Sequence, residues 1–170
     1  LAGLKYFNVF GPNEYHKGDM RSVVLKAFEQ VRREGTVRLF KSYRPEYADG
    51  EQRRDFLYVK DAARMTLFFL DHPTLGGLFN VGSGLARTWN DLARALFAAL
   101  DRPERIQYVE MPEGLRDRYQ YFTEADMSRL RAAGWTLEPT SLEEAVADYV
   151  RGYLIPGTHL EPSPAPPRRS

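Results

Sequence analysis

Cysteine is absent from the 170 residues, which excludes a disulfide framework, a thiolate metal site and a cysteine nucleophile. Neither sign of charge is in excess, because 24 Lys and Arg stand against 23 Asp and Glu. This balance disfavours a dedicated binder of nucleic acid or membrane surfaces. The chain has no signal-peptide pattern, and no apolar run approaches the roughly 20 residues of a membrane-spanning helix. We therefore expect a cytoplasmic protein.

Histidine is also scarce, and His16, His72 and His159 are too widely spaced to indicate a metal site. What is present is the composition of a globular chain, with 43% hydrophobic and 28% charged residues. A length of 170 residues is enough for one domain with a sizeable core. We expect a globular domain without a resident metal.

The chain opens on a strand-like stretch that ends in a polar loop. Leu4 to Phe10 are mostly aromatic or aliphatic, as on a half-buried pleated surface. Gly11-Pro12 then ends the strand, because proline donates no hydrogen bond to a sheet. The following loop, Asn13 to Asp19, is almost wholly polar. Open α/β sheets bind ligands at the carboxyl ends of their strands, so this loop is a candidate site, although an ordinary strand-to-helix connection has the same pattern.

Strand and helix patterns alternate along the rest of the chain. Apolar spacing predicts helices over 22–34, 59–70 and 89–100, a helix ending at Gly134, a last helix reaching Leu154, and strands at 37–40, 54–58, 78–81 and 106–110. Capping boxes are predicted at Thr88 with Asp91, Thr123 with Asp126, and Thr140 with Glu143. The order predicts an α/β fold with a mixed or partly parallel sheet. The proline-rich segment 156–170 is predicted to be disordered.

Several segments together resemble one superfamily. Residues 6–12, Tyr-Phe-Asn-Val-Phe-Gly-Pro, resemble a segment of the extended short-chain dehydrogenase/reductases, which include nucleotide-sugar epimerases and dehydratases. The continuation Glu-Tyr-His-Lys-Gly at 14–18 is similar to a narrower family, the ADP-L-glycero-D-manno-heptose 6-epimerases. Segments 52–61, 78–84 and 118–120 follow in the order that this family has. The resemblance covers residues 1–155.

The resemblance implies the C-terminal, substrate-binding part of an extended Rossmann-type enzyme. Such an enzyme would also carry a Gly-rich dinucleotide loop and a Tyr-x-x-x-Lys pair, and neither motif occurs in this sequence. We therefore expect a missing N-terminal half of the same polypeptide, with residues 1–155 as the C-terminal part. The resemblance further implies NADP as cofactor, an ADP-heptose substrate, and a homo-oligomer, which in the family is a pentamer.

Lys17 is the residue to which the resemblance gives a catalytic role. It implies that Lys17 is an acid/base facing a tyrosine of the missing half across the sugar carbon, and that it also lies against the cofactor. A lysine works as a base only where burial or a neighbouring cation lowers its pKa. Without the resemblance, the sequence around Lys17 is equally consistent with a solvated lysine in a loop. The resemblance also assigns Val9 to the nicotinamide end of NADP and Asn8 to the substrate, although Asn8 alternatively caps the turn through its amide.

The resemblance implies that Arg54 binds the diphosphate of the substrate. A guanidinium suits this role because it can hydrogen-bond two phosphate oxygens at once. The alternative is a salt bridge with Asp55. Further substrate contacts are implied, with departures from the family pattern at some positions, for Asp19, Lys26, Phe40, Lys41, Ser42, Tyr43 and Tyr119. Tyr119 alternatively packs in the core. Gly82-Ser83-Gly84 resembles a phosphate-binding loop but equally suits an ordinary turn after a strand.

The activity that this resemblance implies is epimerisation at C6 of ADP-heptose by oxidation and re-reduction, a step toward the lipopolysaccharide core. Two alternatives remain open from the sequence. One is another epimerase or dehydratase of the superfamily, acting on a UDP-, GDP- or dTDP-sugar. The other is a non-enzymatic sensor that keeps the fold and has lost turnover.

Overall fold

A computed structural model describes residues 1–160. Its elements are β1 (Ala2–Tyr6), β2 (Asn8–Phe10), a 3₁₀ turn (Tyr15–Met20), α1 (Val23–Glu34), β3 (Val37–Phe40), β4 (Arg53–Tyr58), α2 (Val59–Asp71), β5 (Gly77–Val81), β6 (Ala86–Thr88), α3 (Trp89–Ala99), β7 (Ile106–Val109), α4 (Glu113–Arg116), α5 (Ser128–Ala132), α6 (Leu142–Tyr149) and a π-helical turn (Val150–Leu154). The predicted α/β class is confirmed. No helix among these residues is long and apolar enough to cross a membrane.

Strand pairing is mixed, as the alternation of elements predicts. Three pairs are parallel, β1 with β5, β2 with β4, and β3 with β7, while β6 lies antiparallel to β4. In register, Leu4 faces Phe79 and Asn8 faces Phe56. Strand β6 is absent from the prediction because three residues are too few to show an alternating pattern.

The predicted first strand is interrupted. The chain changes partner at Phe7, whose N–H donates to Val81 O at 3.1 Å, so that β1 pairs with β5 and β2 with β4. Strand β2 then ends at Gly11, which has φ of 141°. A Cβ at Gly11 would lie 2.4 Å from a methyl carbon of Val59, so the turn packs directly on the start of α2. Only glycine fits this position.

Two hydrophobic clusters make up the core. The larger joins α1, α3 and α6 to β2, β3 and β4, and contains Phe10, Val31, Leu96 and Tyr149. The smaller lies between α2, β5 and the segment around α5, and contains Met65, Phe79 and Trp135. The apolar stripe predicted for 22–34 faces the larger cluster. Tyr15, in the segment that follows β2, packs against the larger cluster.

One predicted cap is confirmed and two are wrong. Thr88 and Asp91 form the predicted capping box of α3. At α6 the box is Ser141 with Glu144, one residue after the predicted pair, because the Thr140 N–H donates instead to the Asp61 carboxylate at 2.8 Å. Helix α5 begins only at Ser128, beyond the third predicted pair, and has no side-chain cap.

The chain returns to its own first loop after α6. Asn13 donates to Leu160 O at 3.1 Å and accepts from Leu160 N at 2.9 Å. The Tyr15 hydroxyl donates to Thr158 O at 3.3 Å. These contacts involve the first residues of the segment predicted to be disordered, and residues 161–170 of that segment lie outside the described part of the chain.

Candidate functional site

Two adjoining pockets form one cleft beside α1 and the start of α3. The first encloses about 200 Å³ and is lined by Asn8, Val9, Phe10, Met20, Arg21, Ser22, Val23, Val24, Phe56, Trp89 and Leu92. The second encloses about 370 Å³ and is lined by Val23, Lys26, Ala27, Gln30, Val37, Arg38, Leu39, Phe40, Arg54, Trp89 and Tyr119. Val23 and Trp89 line both, so the pockets adjoin. We call the two together the cleft.

Arg54 lies in the wall of the second pocket. Its residue is only 8% exposed, and Nη1 donates to the carbonyl of Arg53 at 2.8 Å. The guanidinium carbon lies 5.1 Å from the centre of the Tyr119 ring and 5.7 Å from that of Trp89. Burial lowers the pKa of this guanidinium from its usual value, but arginine keeps its charge at neutral pH. The site thus holds a buried cation between two aromatic rings.

The alternative for Arg54, a salt bridge to Asp55, is not observed. No carboxylate within residues 1–160 lies within salt-bridge distance of Arg54. Asp55 is fully buried on the other face of β4, and Ser83 donates to it through both N–H and hydroxyl, at 2.7 and 2.8 Å. The backbone N–H groups of Gly84 and Ala125 donate to its second oxygen at 2.9 Å. The pairing fails because successive strand residues point to opposite faces.

The same contacts decide the role of the segment Gly82-Ser83-Gly84. Its N–H groups surround an anion, but that anion is the protein's own Asp55 carboxylate. A Cβ at Gly82 would lie 2.8 Å from Oδ2 of Asp55, so the segment is packed tightly on this side chain. The segment is a turn between β5 and β6, and its donors are used within the chain.

Aromatic side chains give the second pocket its shape. The Trp89 indole N–H donates to the Tyr119 hydroxyl at 3.0 Å, and Phe40 meets the Tyr119 ring edge-on with the ring centres 6.2 Å apart. Burial raises the pKa of the Tyr119 phenol, which therefore stays protonated. Trp89 lines both pockets and was missed as a site residue, because from sequence it is simply the first residue of a helix. Tyr119 contributes both to packing and to the pocket wall.

Lys26 lines the second pocket, and a hydrogen bond joins it to Asp19. The Lys26 ammonium donates to the backbone carbonyl of Asp19 at 2.6 Å, and Lys26 lines the second pocket. The Asp19 side chain is exposed and lines neither pocket. The structure therefore joins the two residues through the main chain of Asp19.

Lys41, Ser42 and Tyr43 have side chains directed away from the pocket walls. The Lys41 ammonium lies 2.7 Å from the Glu110 carboxylate, which raises the pKa of this lysine, and the Tyr43 hydroxyl donates to the same carboxylate. Ser42 donates its N–H to Asp49 at 2.7 Å. Of the four consecutive residues predicted to contact substrate, only Phe40 lines the cleft.

Asn8 and Val9 line the first pocket. The Asn8 amide makes no hydrogen bond with any of the described residues, so the alternative of a turn-capping amide is not observed. The Val9 N–H donates to Phe7 O at 2.7 Å, at the point where the chain changes sheet partner. The Val9 side chain packs against the smaller core cluster, whereas the Asn8 side chain is exposed and has no hydrogen-bond partner among residues 1–160.

Lys17 is exposed on the 3₁₀ turn Tyr15–Met20. Its backbone N–H donates to Glu14 O at 3.0 Å, and its ammonium makes no ion pair or hydrogen bond within the part of the chain that the structure describes. Lys17 does not line either pocket, but Met20 and Arg21, at the end of the same turn, line the first. Lys17 therefore lies outside both pockets, on the turn whose last residue, Met20, lines the first pocket.

Comparison with known proteins finds the same kind of enzyme repeatedly. Residues 1–82 match the family model "NAD dependent epimerase/dehydratase family". The chain is 57% identical over 154 residues to ADP-L-glycero-D-manno-heptose-6-epimerase of Nitratidesulfovibrio vulgaris, covering 91% of this chain and 48% of the relative. It is 49% identical over 158 residues to the enzyme of the same name from Fusobacterium nucleatum, covering 89% and 48%.

Solved structures of epimerases superimpose on this chain. The crystal structure of Helicobacter pylori ADP-L-glycero-D-manno-heptose-6-epimerase superimposes with a TM-score of 0.71 at 28% identity, covering 89% of this chain and 43% of that one. The UDP-N-acetylglucosamine 4-epimerase of Methanobrevibacter ruminantium, at 24% identity and a TM-score of 0.73, has the same fold. The chain spans about half the length of the curated relatives that it matches. With this identity over nine-tenths of its length, the chain belongs to the NAD dependent epimerase/dehydratase family.

Proposed function

We propose that this chain is the substrate-binding part of an ADP-glycero-manno-heptose 6-epimerase. In this proposal the enzyme is cytoplasmic, homo-oligomeric and NADP-dependent, and it inverts C6 of ADP-heptose for the lipopolysaccharide core. The names of relatives at 45–57% identity support the choice of substrate. The site residues discussed below are part of the same proposal.

The observation that carries the proposal is the environment of Arg54. A buried guanidinium without a carboxylate partner in the described chain is costly unless an anion completes the site. A diphosphate suits it, because the guanidinium fork binds phosphate oxygens in pairs. The pocket is lined mostly by apolar side chains next to Arg54, among them Phe40 and Tyr119, and such a surface suits a nucleotide base.

The residues of the first pocket fit the nicotinamide end of a dinucleotide, but they do not fit its pyrophosphate. Phe10 and Phe56 give an apolar wall, and the Asn8 amide is available for a hydrogen bond. The backbone donors of Ser83 and Gly84, which could otherwise bind a pyrophosphate, are taken by Asp55. We propose that Val9 and Lys17 lie near the reacting end of the cofactor, and that the remaining contacts come from another part of the polypeptide.

Removal of hydride from C6 of the heptose, and its return to the other face, is the chemistry that bound NADP supplies in this proposal. The residues of this chain orient the sugar and move its proton. Arg54 holds the diphosphate, Asn8 binds the sugar, and Lys17 transfers the C6 hydroxyl proton on one face. Inversion needs a second proton-transfer group on the opposite face, for which we propose a tyrosine outside this chain.

Lys17→Met in the full-length polypeptide tests this role. Lys17 is exposed and unpaired in the described chain, so the substitution should leave the melting temperature and the cofactor content almost unchanged. Turnover should fall by roughly 10²–10⁴, the usual contribution of a positioned proton-transfer group. The loss should fall on kcat, because proton transfer contributes to the transition state and little to substrate binding. NMR of the two C6 epimers of ADP-heptose measures the rate.

Arg131→Met is the matched control. Arg131 is also exposed and makes no ion pair within residues 1–160, and it lies on α5, outside the cleft. The control should keep wild-type turnover. Activity of Lys17→Met within about threefold of wild type, far short of the range of an acid/base group, would remove Lys17 from the mechanism.

The choice between an ADP-sugar and another nucleotide sugar is tested separately. Melting of the 170-residue chain is followed with ADP, UDP, GDP and dTDP. We expect ADP to give the largest stabilisation, because a ligand that binds only the folded state raises its stability according to its affinity. A larger effect of UDP, GDP or dTDP would transfer the proposal to another epimerase or dehydratase of the family.

A further inference from the structure

Glu14 is a buried acidic residue next to the turn that carries Lys17. It is 3% exposed, and no cation of residues 1–160 pairs with it. The Ser22 N–H and hydroxyl donate to its two oxygens at 2.5 and 2.6 Å. The Tyr149 hydroxyl donates to the second of these oxygens at 2.9 Å. The carboxylate therefore joins three parts of the chain: the loop after β2, the start of α1, and the end of α6.

These partners suit an ionised carboxylate. Ser22 caps α1, so Glu14 lies at the positive end of that helix, where a negative charge is stabilised. Tyr149 is fully buried, and burial together with the neighbouring Glu14 raises the pKa of its phenol far above neutrality. The phenol is thus a permanent donor, and Glu14 has hydrogen-bond donors in place of a cation.

The position of Glu14 in the chain links this network to Lys17. Glu14 and Ser22 are the residues on either side of the segment 15–21, and the Glu14 side chain joins them directly. Inside the segment, Lys17 N–H donates to Glu14 O at 3.0 Å, and Arg21 Nε donates to Gly18 O at 2.8 Å. The Lys17 side chain makes no hydrogen bond or ion pair with residues 1–160. Its position therefore depends on how the segment is held, at its ends by the Glu14 network and inside by Lys26, which donates to Asp19 O at 2.6 Å.

We propose that Glu14, together with Tyr149, is a positioning residue that holds the Lys17 turn in its reactive place beside the cleft. The inference rests on the role proposed above for Lys17. It adds that a carboxylate touching no substrate, and a tyrosine from the last helix, set the rate of the proton transfer. A residue serving stability alone would be expected to change the melting temperature and leave kcat of the folded enzyme unchanged.

Two substitutions test this in the full-length polypeptide. Tyr149→Phe removes one hydroxyl and keeps the ring in its packed place. Glu14→Gln keeps the shape of the side chain but replaces one of its two accepting oxygens by an NH₂ group. This group is a donor, and it would face either the N–H or the hydroxyl of Ser22, which are donors too. We expect kcat to fall by about tenfold or more, since small misplacements of a reacting group are costly, and KM to change little. The double variant should be no slower than Glu14→Gln, because both changes break the same network.

Tyr58→Phe is the matched control. Tyr58 is also buried and also donates to a carboxylate of α6, that of Asp148, but it contacts no residue of 14–22 through that bond. It should lose stability in the same way as Tyr149→Phe and keep wild-type kcat. Equal losses of kcat in the two tyrosine variants would overturn the inference, because they would show a general effect of loosening α6.

A second measurement does not depend on activity. Amide hydrogen exchange is measured on the full-length polypeptide and its variants. In Tyr149→Phe and Glu14→Gln, exchange should accelerate at residues 15–21 and stay unchanged in β4 and α3, whereas Tyr58→Phe should leave 15–21 unchanged. Unchanged exchange at 15–21 in both variants would overturn the inference.

The outcomes separate this inference from the proposed function. If Lys17→Met is inactive while Tyr149→Phe and Glu14→Gln keep wild-type kcat, Lys17 keeps its role and the positioning inference is wrong. If Lys17→Met is fully active, the proposed role of Lys17 fails, and the positioning inference fails with it. If all three are slow and only the Glu14 and Tyr149 variants accelerate exchange at 15–21, both are supported.

Discussion

Arg54 combines burial, positive charge and the lack of a carboxylate partner within residues 1–160. Its stacking partners are rings, and rings do not neutralise charge, although a cation over an aromatic face is stabilised by about 0.5–2 kcal/mol. An anionic ligand therefore gains more at Arg54 than at a surface arginine already paired with an acid. This difference makes Arg54 the residue where ligand binding is best tested.

Arg54→Lys should weaken binding of ADP to the chain. Lysine keeps the charge but cannot reproduce the planar fork or the stacking between Tyr119 and Trp89. Loss of a charge-assisted contact should cost about 1.5–3 kcal/mol of binding free energy, measured by isothermal titration calorimetry. Arg53→Lys is the control, because Arg53 is the exposed neighbour in β4 and does not line the cleft. Equal affinity of Arg54→Lys and wild type would refute the diphosphate assignment.

At the scale of single residues, the resemblance implied substrate contacts for Arg54, Phe40 and Tyr119, and the structure brings these three residues into one pocket. The sequence could not predict that Asp55 is held by Ser83 and Gly84, since that contact crosses 28 residues and depends on strand register. The same holds for Trp89, whose role comes from its position between two pockets. Contacts between distant segments are set by packing, which local patterns do not contain.

At the scale of elements, the capping boxes show what local patterns can decide. The pairs Thr140 with Glu143 and Ser141 with Glu144 have the same spacing, so the sequence does not distinguish them. In the fold, Asp61 takes the Thr140 N–H, and the helix starts one residue later. At α3 the Thr88 N–H donates to the Asp91 carboxylate itself, at 3.1 Å, and the prediction is confirmed.

Asp91 should make the stability of the chain depend on acid pH. Burial opposes ionisation of this carboxyl group, but the Thr88 N–H and the Arg87 guanidinium outweigh it, and together they lower its pKa. A carboxyl group whose pKa is lower in the folded state stabilises the fold at pH values above its unfolded-state pKa, which is about 3.9 for aspartate. This stabilisation is lost as the pH falls through the folded-state pKa. Asp91→Asn should therefore be less stable than wild type at pH 6, and the difference should shrink below about pH 4.

The measurement is the free energy of unfolding in urea, for both proteins, at pH 6 and at steps downward. Loss of a cap contact should cost about 0.5–2 kcal/mol at pH 6. Glu46→Gln is the control, since Glu46 is an exposed loop residue without an ion pair in the described chain, and it should match wild type throughout. A difference between Asp91→Asn and wild type that stays constant down to pH 2.5 would contradict the assignment.

At the scale of the whole molecule, the order of helices and strands predicted the fold class, because long amphipathic segments show their period directly. The change of partner at Phe7 was not predictable, since Leu4 to Phe10 is mostly aromatic or aliphatic and both halves suit a strand. Nor was the return of Leu160 to Asn13, a contact between backbone and amide groups that carries no hydrophobic pattern. Both features shape the loop that carries Lys17.

The last prediction concerns the chain as a unit, and it separates nucleotide binding from cofactor binding. The 170 residues contain no Gly-rich dinucleotide motif, and the donors of Gly82-Ser83-Gly84 are occupied by Asp55. The chain expressed alone should therefore bind ADP through Arg54 and purify without NADP. Extraction of the purified protein in acid or base, followed by chromatography of released nucleotides, measures the content. The full-length polypeptide, purified in parallel, is the control and should release NADP. Stoichiometric NADP released from the 170-residue chain would contradict the proposal that another part of the polypeptide binds the cofactor. The pyrophosphate of NADP would then have a site within these residues.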